Sequence, residues 1–300
     1  MVTENLLDII GNTPMISLKK LTGASIFAKA EYLNPGGSIK DRPAKHMIER
    51  AEARGDLRPG MTIMEPTSGN TGIGIALVGV LKGYRVVIVM PENMSEERKR
   101  IIAALGAELV LTKAADNIAG AVAEVERAKS ADPMIYVPHQ FENPDNPGIH
   151  YMQTAAEIWK QMDGSVDLFV SGLGSGGTLT GVGRFIKEKN PKARIIAVEP
   201  KNVSALLGHG PGFHNIQGIG DGFIPGVLDV KLIDEVVEVS DDDAIQTARH
   251  LAGISGILAG TSSGANVWAS VQMSKKYGTE KRIATILPDR IERYFSTSLI

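Results

Sequence analysis

Cysteine is absent from this sequence, whereas methionine occurs 11 times and glycine 33 times. The absence excludes disulfide bonds, catalysis by a thiolate nucleophile and metal sites built on thiolates. Such a chain must be held together by its apolar core, and the hydrophobic fraction of 43% is sufficient for one. The composition therefore predicts a protein that folds without covalent cross-links, as is usual in a reducing cytosol.

An excess of charge of one sign is also missing, because 32 Lys and Arg residues face 34 Asp and Glu residues. Nucleic-acid binding therefore has no electrostatic support. No apolar run approaches the ~20 residues that span a bilayer, and residues 1–14 lack the pattern of a secretory leader. We expect a cytoplasmic protein that binds neither nucleic acid nor membranes. The histidines show no zinc-like spacing beyond His209 and His214, so no metal site is predicted.

Short β-branched and apolar runs alternate with longer helical patterns along the chain. This alternation is typical of parallel strands joined by crossover helices, so the predicted fold class is α/β. Because 300 residues are near the upper limit of what one core organises, we expect two closely packed lobes with a cleft between them. The predicted strands cover residues 61–65, 85–90, 108–111, 134–137, 167–171, 195–199 and 282–287.

Two irregular stretches and one charged helix complete the organisation. Residues 141–148 (FENPDNPG) interrupt the alternation and are the predicted crossing between the lobes. Residues 208–226 form a second glycine-rich stretch, which has the length of a binding loop. A helix is predicted over residues 95–105, with Ser95 as its cap. Its charged run, Arg98 to Arg100, is interpreted as a solvated face.

A glycine-rich turn at residues 171–180 (SGLGSGGTLT) directly follows a predicted strand and precedes a helical pattern. Glycines at such a place let backbone amides approach an anion, and the helix start adds partial positive charge. The turn therefore predicts a phosphate site. It also contains G-x-G-x-x-G at Gly172, Gly174 and Gly177, with Glu199 about twenty residues later. A dinucleotide site and a plain structural turn thus stay open beside a pyridoxal phosphate site.

Three other segments place chemically active side chains at predicted helix starts. Residues 34–42 (NPGGSIKDR) put Lys40 directly after a Gly-Gly-Ser turn. Residues 67–72 (TSGNTG) offer hydroxyls, an amide side chain and helix-start amides, which suit a substrate carboxylate. Residues 260–264 (GTSSG) are again dense in small hydroxyl residues before a helix.

In combination these segments resemble the cysteine synthase and cystathionine β-synthase group of pyridoxal 5'-phosphate (PLP) enzymes, of fold type II. The resemblance covers essentially the whole chain, from IGNTP at residues 10–14 to ERYFST at residues 292–297, with GGSIKDR, TSGNTG, HQFENPDNP, GSGGTLTGV, QGIGDGFIP and GTSSGA between them. It implies two lobes, each a mostly parallel twisted sheet flanked by helices, with the cofactor in the cleft. Residues 1–33 and 144–300 would form the large lobe and residues 34–143 a smaller, mobile lobe of a homodimer.

The resemblance also implies roles for residues in the matching motifs. Lys40 would hold the cofactor as a Schiff base, Asn70 would hydrogen-bond its 3'-oxygen and Ser262 would face its pyridine nitrogen. The phosphate would be bound by Gly174, Ser175, Gly176, Gly177 and Thr178. The carboxylate of a small amino-acid substrate would be bound by Thr67, Ser68, Gly69, Thr71 and Gln140.

The reaction implied by the resemblance is β-replacement on an activated serine. The expected donor is O-acetylserine and the expected nucleophile is sulfide, which together give L-cysteine. Ser262 cannot supply the charge that an aspartate would, so the cofactor ring would be a moderate electron sink, which suits loss of a β-leaving group. Lys40, once displaced by the substrate amine, would remove the α-proton.

Two positions depart from the family pattern. Asp221 in QGIGDGFIP stands where related enzymes have a small or aromatic residue. Two interpretations are open: its carboxylate takes part in catalysis, or it points to solvent. Arg290 and Ile291 replace a common Ser-Gly pair and are interpreted as bracing the loop.

Two other functions stay open at this point. A catalytic Asp221 favours a β-lyase or β-synthase that uses cysteine or serine and releases hydrogen sulfide, or forms serine, lanthionine or cystathionine. A nucleotide-binding regulatory protein or oxidoreductase is the third hypothesis, but it leaves GGSIKDR and TSGNTG unexplained.

Overall fold

In the computed structural model, which describes residues 2–67 and 69–300, the chain forms ten strands divided between two sheets. Helices flank both sheets, so the predicted α/β class is confirmed. The strands are β1 (Met15–Ser17), β2 (Ile26–Ala30), β3 (Thr62–Pro66), β4 (Arg85–Pro91), β5 (Glu108–Thr112), β6 (Ile135–Tyr136), β7 (Leu168–Gly172), β8 (Arg194–Pro200), β9 (Glu235–Val239) and β10 (Ile283–Leu287).

The larger sheet has the strand order β1-β2-β10-β7-β8-β9. Its strands are parallel except for β1, which is antiparallel to β2. Ile283 of β10 lies opposite both Ile26 of β2 and Leu168 of β7. Every residue of β10 is buried, as is usual for a parallel strand that is covered on both faces.

The smaller sheet has the order β5-β4-β3-β6 and is parallel throughout. The pairing of β3 with β6 is short, because it joins only Thr62 to Ile135 and Ile63 to Tyr136. Strand β3 continues to Pro66, so on the edge towards β6 its last residues have no strand partner, although they still pair with β4 on the other edge.

The helices between the strands begin and end where the sequence provides suitable residues. Helix α2 ends at Arg54 and is capped by Gly55, whose left-handed φ of 78° favours glycine. Ser240 caps α9 by accepting a hydrogen bond of 3.1 Å from Asp243 N. The α-helices are α1 (Lys19–Thr22), α2 (Asp41–Arg54), α3 (Asn70–Leu81), α4 (Glu96–Ala104), α5 (Asn117–Ala131), α6 (Asp145–Ile149), α7 (Ala156–Gln161), α8 (Gly177–Lys189), α9 (Asp241–Ser255) and α10 (Thr261–Tyr277).

Shorter helical segments fill several connections. A π-helical segment (His150–Ala155) joins α6 to α7, and 3₁₀ turns cover Leu6–Ile9, Glu31–Leu33, Ala114–Asp116, Ala205–Leu207, Val230–Leu232 and Ile291–Tyr294. Across residues 2–67 and 69–300, none of the helices combines the length and the apolar character that crossing a membrane requires.

Both faces of each sheet are packed with apolar side chains. In the larger sheet, Ile195 and Ile196 of β8 belong to different clusters, one on each face. In the smaller sheet, Ile63 and Met64 of β3 are divided in the same way. Because neighbouring residues of a strand point to opposite faces, consecutive positions in the middle of these strands are apolar, as Ile195 to Val198 of β8 are.

Every strand predicted from the sequence is present, but β1, β2 and β9 were missed. Strand β1 is only 3 residues long, and β9 (EVVEV) carries two charged residues. Strand β2 (IFAKA) contains Lys29, whose side chain is fully buried and lies 2.7 Å from Glu157 Oε2. A buried lysine of this kind depends on a partner distant in the sequence, so local composition does not predict the strand.

The predicted helix over residues 95–105 is present as α4, but two details were wrong. Ser95 precedes α4 without making a side-chain capping hydrogen bond. Arg98 is 2% exposed and therefore does not belong to a solvated face, whereas Arg100 is exposed. The Arg98 guanidinium donates to Gln217 Oε1 and lies 5.2 Å from the ring centroid of Tyr294, contacts that offset its burial.

The segment predicted as a crossing loop, residues 141–148, is only partly irregular. It lies between β6 of the smaller sheet and β7 of the larger sheet, where the chain passes from one sheet to the other. Its second half is helical, because α6 begins at Asp145. Proline at the third position of that helix is compatible with this, since the first helical N–H groups have no intrahelical partner.

Candidate active site

A cleft lies at the carboxyl ends of β3, β7 and β10. Crevices at the carboxyl ends of parallel strands are the usual ligand sites of α/β proteins. The predicted residues that line the cleft are Lys40, Thr67, Gly69, Asn70, Thr71, Gln140, Gly174, Ser175, Gly176, Thr178, Asp221 and Ser262. Gly177 is the first residue of α8, beside the lining, and Ser68 lies outside the described residues.

Lys40 directly precedes α2 and its amine lies within the cleft. Its Nζ donates a hydrogen bond of 3.1 Å to Ser175 Oγ in the glycine turn. Burial lowers the pKa of Lys40, while the negative charge of Asp221 acts in the opposite direction. A lowered pKa increases the unprotonated fraction of the amine, which is the form that reacts with an aldehyde and accepts a proton.

The glycine turn that follows β7 forms a cradle too narrow for side chains. A Cβ on Gly174 would collide with the carbonyl oxygen of Gly218, and one on Gly177 with Asn146 Oδ1. Gly176 has a left-handed φ of 83° and would bring a Cβ to 3.0 Å from Leu228 Cβ. Backbone N–H groups at the start of α8 are thereby left accessible to an anion.

Asn146 and His150 support this turn from α6 and the π-helical segment. Asn146 Nδ2 donates to Ser175 Oγ at 3.1 Å and to the carbonyl oxygen of Gln140 at 2.7 Å. His150 Nε2 lies 3.5 Å from Thr178 Oγ1, and burial holds the pKa of His150 well below its usual range. A neutral imidazole beside Thr178 adds no positive charge to the turn. Asn146 belongs to the motif HQFENPDNP, but neither Asn146 nor His150 was predicted as a site residue, because their contacts with the turn join separate segments of the chain.

Hydrogen bonds fix the positions of Thr67, Gly69 and Thr71 at the start of α3. Gly69 N donates to Thr67 Oγ1 at 3.1 Å, and Thr71 Oγ1 donates to Gln140 Oε1 at 2.7 Å. Thr67, Thr71 and Gln140 are each at most 6% exposed. Helix α3 begins at Asn70, so its N-terminal N–H groups and partial positive charge face the cleft from the loop.

Asn70 is held by a buried carboxylate that sequence reasoning missed. Its Nδ2 donates a hydrogen bond of 2.7 Å to Asp289 Oδ2, which also accepts a bond of 2.8 Å from the hydroxyl of Tyr294. Asp289 is fully buried. The only available signal was its place directly after the apolar strand β10, at the same edge as the glycine turn.

Ser262 lies in the first turn of α10, is 3% exposed and lines the cleft. Asn266, one turn further, accepts a bond of 2.7 Å from Gly172 N and donates one of 2.9 Å to the carbonyl oxygen of Ile286. Asn266 thereby joins the ends of β7 and β10 to the helix that carries Ser262.

Asp221 lines the cleft from the segment predicted as a binding loop. The side chain is exposed to water within the cleft, although nearby protein removes part of its hydration. This partial desolvation raises the pKa of Asp221, while the positive charges of Lys40 and His214 act in the opposite direction. His214 itself contacts the carbonyl oxygen of Gly220 at 3.0 Å and thus lies in the same loop.

Two further predictions are decided by side-chain contacts. Arg290 Nε donates to the carbonyl oxygen of Tyr32 at 2.9 Å and Ile291 is buried, so this pair braces the loop. Glu199 accepts hydrogen bonds from Ser204 Oγ and from the N–H groups of Ala205 and Leu206, and is 1% exposed. A ribose cannot reach that carboxylate, which removes the main support for a dinucleotide site.

The chemical groups around the cleft fit PLP. The glycine cradle suits a phosphate, and the amine of Lys40, with its lowered pKa, suits an aldehyde. Asn70 Oδ1 is buried without a hydrogen-bond partner in the described part of the chain, as expected where a polar ligand supplies the partner. The hydroxyl of Ser262 provides a neutral partner for a ring nitrogen.

Comparisons with known proteins agree with this chemistry. Residues 6–289 match the model of a family described as "Pyridoxal-phosphate dependent enzyme". A cysteine synthase of Staphylococcus aureus strain N315 is 46% identical over 300 residues, which cover 99% of this chain and 96% of that protein. The crystal structure of a cysteine synthase from Entamoeba histolytica superposes with a TM-score of 0.95 at 42% identity, covering 100% of this chain and 91% of that one.

Two other solved structures show the range of reactions among similar proteins. An O-acetylserine-dependent cystathionine β-synthase from Helicobacter pylori has a TM-score of 0.95 at 38% identity, covering 100% of this chain and 99% of that one. A hydrogen sulfide-producing enzyme from Fusobacterium nucleatum has a TM-score of 0.94 at 38% identity, covering 98% and 100%. From its fold, its cleft and these matches, the chain belongs to the family of pyridoxal-phosphate-dependent enzymes and has the fold of the O-acetylserine sulfhydrylases.

Proposed function

We propose that this enzyme is a cysteine synthase, which replaces the acetate of O-acetylserine by sulfide to give L-cysteine and acetate. The observation that carries the proposal is the position of Lys40. Its amine lies 3.1 Å from Ser175 Oγ in the glycine cradle. The same cleft is lined by Thr67, Gly69 and Thr71, which belong to the segment that we call the carboxylate loop (residues 67–71). The relatives named cysteine synthase, which match over nearly the full length, support the same reaction.

When bound, PLP supplies an electron-withdrawing ring in conjugation with the α-carbon of the amino acid. The cradle of Gly174, Ser175, Gly176, Gly177 and Thr178 would hold its phosphate through backbone N–H groups and hydroxyls. Asn70 would bond the ring's 3'-oxygen, and Ser262 would bond the ring nitrogen without adding charge.

The carboxylate loop would orient the substrate. Thr67, Ser68, Gly69 and Thr71 would bind the α-carboxylate together with Gln140, which already accepts a hydrogen bond from Thr71. The start of α3 adds partial positive charge at this place, which is worth most near the first turn of a helix. A fixed carboxylate aligns the Cα–H bond with the base.

Lys40 would act as that base. Its lowered pKa leaves an amine that takes the proton from Cα as acetate departs from Cβ. Sulfide then forms the new C–S bond at Cβ, and the ammonium of Lys40 returns a proton to Cα. The proton balance closes within one turnover because the same Nζ accepts and returns it.

A direct assay tests the proposal. The purified protein should be yellow and should form L-cysteine from O-acetylserine and sulfide. The Lys40→Ala variant should lack the absorbance of the covalently bound cofactor and should form no L-cysteine. A colourless wild type, or one that makes no cysteine from these substrates, would contradict the proposal.

Asp221 supports a second candidate function, in which cysteine is consumed and sulfide is released. A carboxylate in the cleft opposes entry of the hydrosulfide anion and can accept a proton from water that adds at Cβ, which converts cysteine and water into serine and hydrogen sulfide. The similarity to a hydrogen sulfide-producing enzyme supports the release of sulfide in this candidate function. If wild type and Asp221→Ala release sulfide from cysteine at equal rates, Asp221 has no such role.

Three further elements of the proposal come from the family resemblance. They are a smaller, mobile lobe at residues 34–143 packed against residues 1–33 and 144–300, a homodimer, and a cytoplasmic location. The division of the strands between two sheets supports the first element. Sedimentation analysis of the holoenzyme tests the second, and fractionation of the source cells tests the third.

A further inference from the structure

Glu65 is a buried carboxylate near the cleft that the proposed mechanism does not use. It lies on β3, is 1% exposed, and precedes the carboxylate loop by two positions. Its Oε2 accepts a hydrogen bond of 3.1 Å from His139 N, and its Oε1 accepts one of 3.2 Å from Gln140 N. Burial raises the pKa of Glu65 to about 8, although both amides act in the opposite direction.

The backbone around His139 is bent to make this arrangement. His139 has a left-handed φ of 55°, which is uncommon for a residue with a side chain. The bend turns two successive N–H groups towards one carboxylate, as in other backbone anion sites. Strand β6 has already ended at Tyr136, so the side chain of Glu65 supplies the link that strand pairing no longer provides.

The same contact extends to the proposed substrate site. Gln140 accepts the hydrogen bond from Thr71 Oγ1, and its carbonyl oxygen accepts one from Asn146. Glu65 therefore holds the backbone of Gln140. Glu65 also lies near the end of β3, two positions before Thr67. Glu65 is thus connected both to Gln140, by a hydrogen bond, and to Thr67, through the end of β3.

We propose that Glu65 is a positioning residue for substrate binding, which holds Gln140 and the loop from Thr67 to Thr71 on the α-carboxylate of the amino acid. The inference rests on the function proposed for that loop. Glu65 lies behind the loop and touches no reacting atom, so its effect should appear in recognition of the carboxylate.

The larger sheet contains a matched control. Glu199 also precedes a proline at the end of a parallel strand, is 1% exposed, and accepts hydrogen bonds from two successive N–H groups, those of Ala205 and Leu206. Those residues do not line the cleft. A substitution at Glu199 removes a comparable buried carboxylate without disturbing the carboxylate loop.

The test compares glycine with methylamine as ligands of the holoenzyme. Both carry an amine, but only glycine carries a carboxylate, and neither has a β-leaving group. The change in cofactor absorbance gives an apparent dissociation constant for each, and the ratio of the two constants measures the contribution of the carboxylate. This ratio does not depend on the fraction of active protein, so partial misfolding of a variant does not alter it.

In the wild type, glycine should bind more tightly than methylamine. Glu65→Ala should reduce that preference by about tenfold, which corresponds to loss of one well-formed hydrogen bond. Measured above the pKa of Glu65, where its side chain is a carboxylate, Glu65→Gln should give an intermediate value, because its amide oxygen accepts only one of the two N–H groups. Glu199→Ala and Glu199→Gln should keep the wild-type preference.

A Glu65→Ala enzyme with the wild-type preference would overturn the inference, as would an equal loss in Glu199→Ala. A wild type that does not distinguish the two ligands would overturn the assignment of the carboxylate loop as well. Failure of β-replacement would instead appear as absence of cysteine formation, while the glycine comparison would still report on Glu65.

Discussion

Asp289 and Asn70 lie 219 positions apart in the chain, and a hydrogen bond of 2.7 Å from Asn70 Nδ2 to Asp289 Oδ2 joins them. Because a carboxylate only accepts hydrogen bonds, the amide of Asn70 must present its NH₂ group to Asp289. Asp289 lies after the larger sheet's β10, whereas Asn70 begins α3 of the smaller sheet's region. This contact therefore fixes the orientation of the Asn70 side chain, which lines the cleft and for which we propose a role in cofactor binding.

Replacing Asp289 should weaken cofactor binding. Asp289→Ala leaves the amide of Asn70 and the hydroxyl of Tyr294 without their acceptor, at a cost of about 2–5 kcal/mol in a buried site. Titration of the apoenzyme with PLP should show an affinity lower by about tenfold or more. Tyr294→Phe is the control, because it removes the other donor and leaves the bond to Asn70. Equal PLP affinity in wild type and Asp289→Ala would contradict the assigned role.

The glycine cradle should not tolerate a methyl group. Gly174→Ala places a Cβ against the carbonyl oxygen of Gly218, which is backbone and cannot rotate away. We expect this variant to lose PLP binding, measured by cofactor absorbance, while Gly210→Ala retains it. No atom lies within 4 Å of a Cβ at Gly210 among the described residues, and its φ is not left-handed. A fully loaded Gly174→Ala enzyme would exclude the cradle as the phosphate site.

The two arginines of α4 should respond very differently to substitution. Arg98→Ala removes the guanidinium that reaches Gln217 and covers the ring of Tyr294, so we expect a loss of about 3 kcal/mol in the free energy of unfolding. Arg100→Ala, on the exposed face, should change it by less than about 0.5 kcal/mol. Urea denaturation of both variants measures the difference. Similar losses of unfolding free energy in the two variants would show that the contacts of Arg98 do not stabilise the fold.

Stability should depend on pH through Glu65. Its pKa is about 8 in the folded protein, against an ordinary value of 4.5, so the folded state keeps a proton that the unfolded chain has released. Between these values a rise in pH favours unfolding, by up to about 1.4 kcal/mol per pH unit from this group. Above the pKa of Glu65 in the folded protein, the stability that the retained proton contributes is completely lost. Glu65→Gln cannot ionise, so its stability relative to the wild type should increase across that window.

The comparison of the two proteins isolates Glu65 from other groups. Burial also raises the pKa of Asp41, to about 7, and this gives the same direction of pH dependence. Asp41 is present in both proteins, so its contribution cancels in the difference. Urea denaturation from about pH 5 to about pH 9 measures that difference. A constant difference over the whole range would show that Glu65 ionises at its ordinary pKa.

Local sequence patterns predicted the parts of the molecule that depend on local physics. The parallel strands β8 and β10 consist mostly of apolar residues and were predicted as strands. The glycine turn after β7 lies between a strand and a helix as predicted, while its role as a phosphate site stays a prediction. The roles of Lys40 and Ser262 came instead from the family resemblance, because one lysine or serine carries no local signal. The order of motifs, and not any single motif, made that resemblance specific.

The features that were missed depend on partners distant in the chain. Lys29 is buried in β2 with Glu157 Oε2 2.7 Å from its Nζ, and Arg98 is buried against Gln217 and Tyr294. Asp289 acquires its role from Asn70, on the far side of the cleft. A search for local patterns along the chain cannot find such pairs, because Lys, Arg and Asp are residue types that usually lie on the surface.

The most direct test of this account is to trap the bond between Lys40 and the cofactor. Reduction of the holoenzyme with borohydride, followed by proteolysis and mass spectrometry, should place the pyridoxyl group on the peptide that contains Lys40. The Lys40→Arg variant, treated in the same way, should carry no such adduct. An unmodified Lys40 in the reduced wild type, or an adduct on another lysine, would contradict the account.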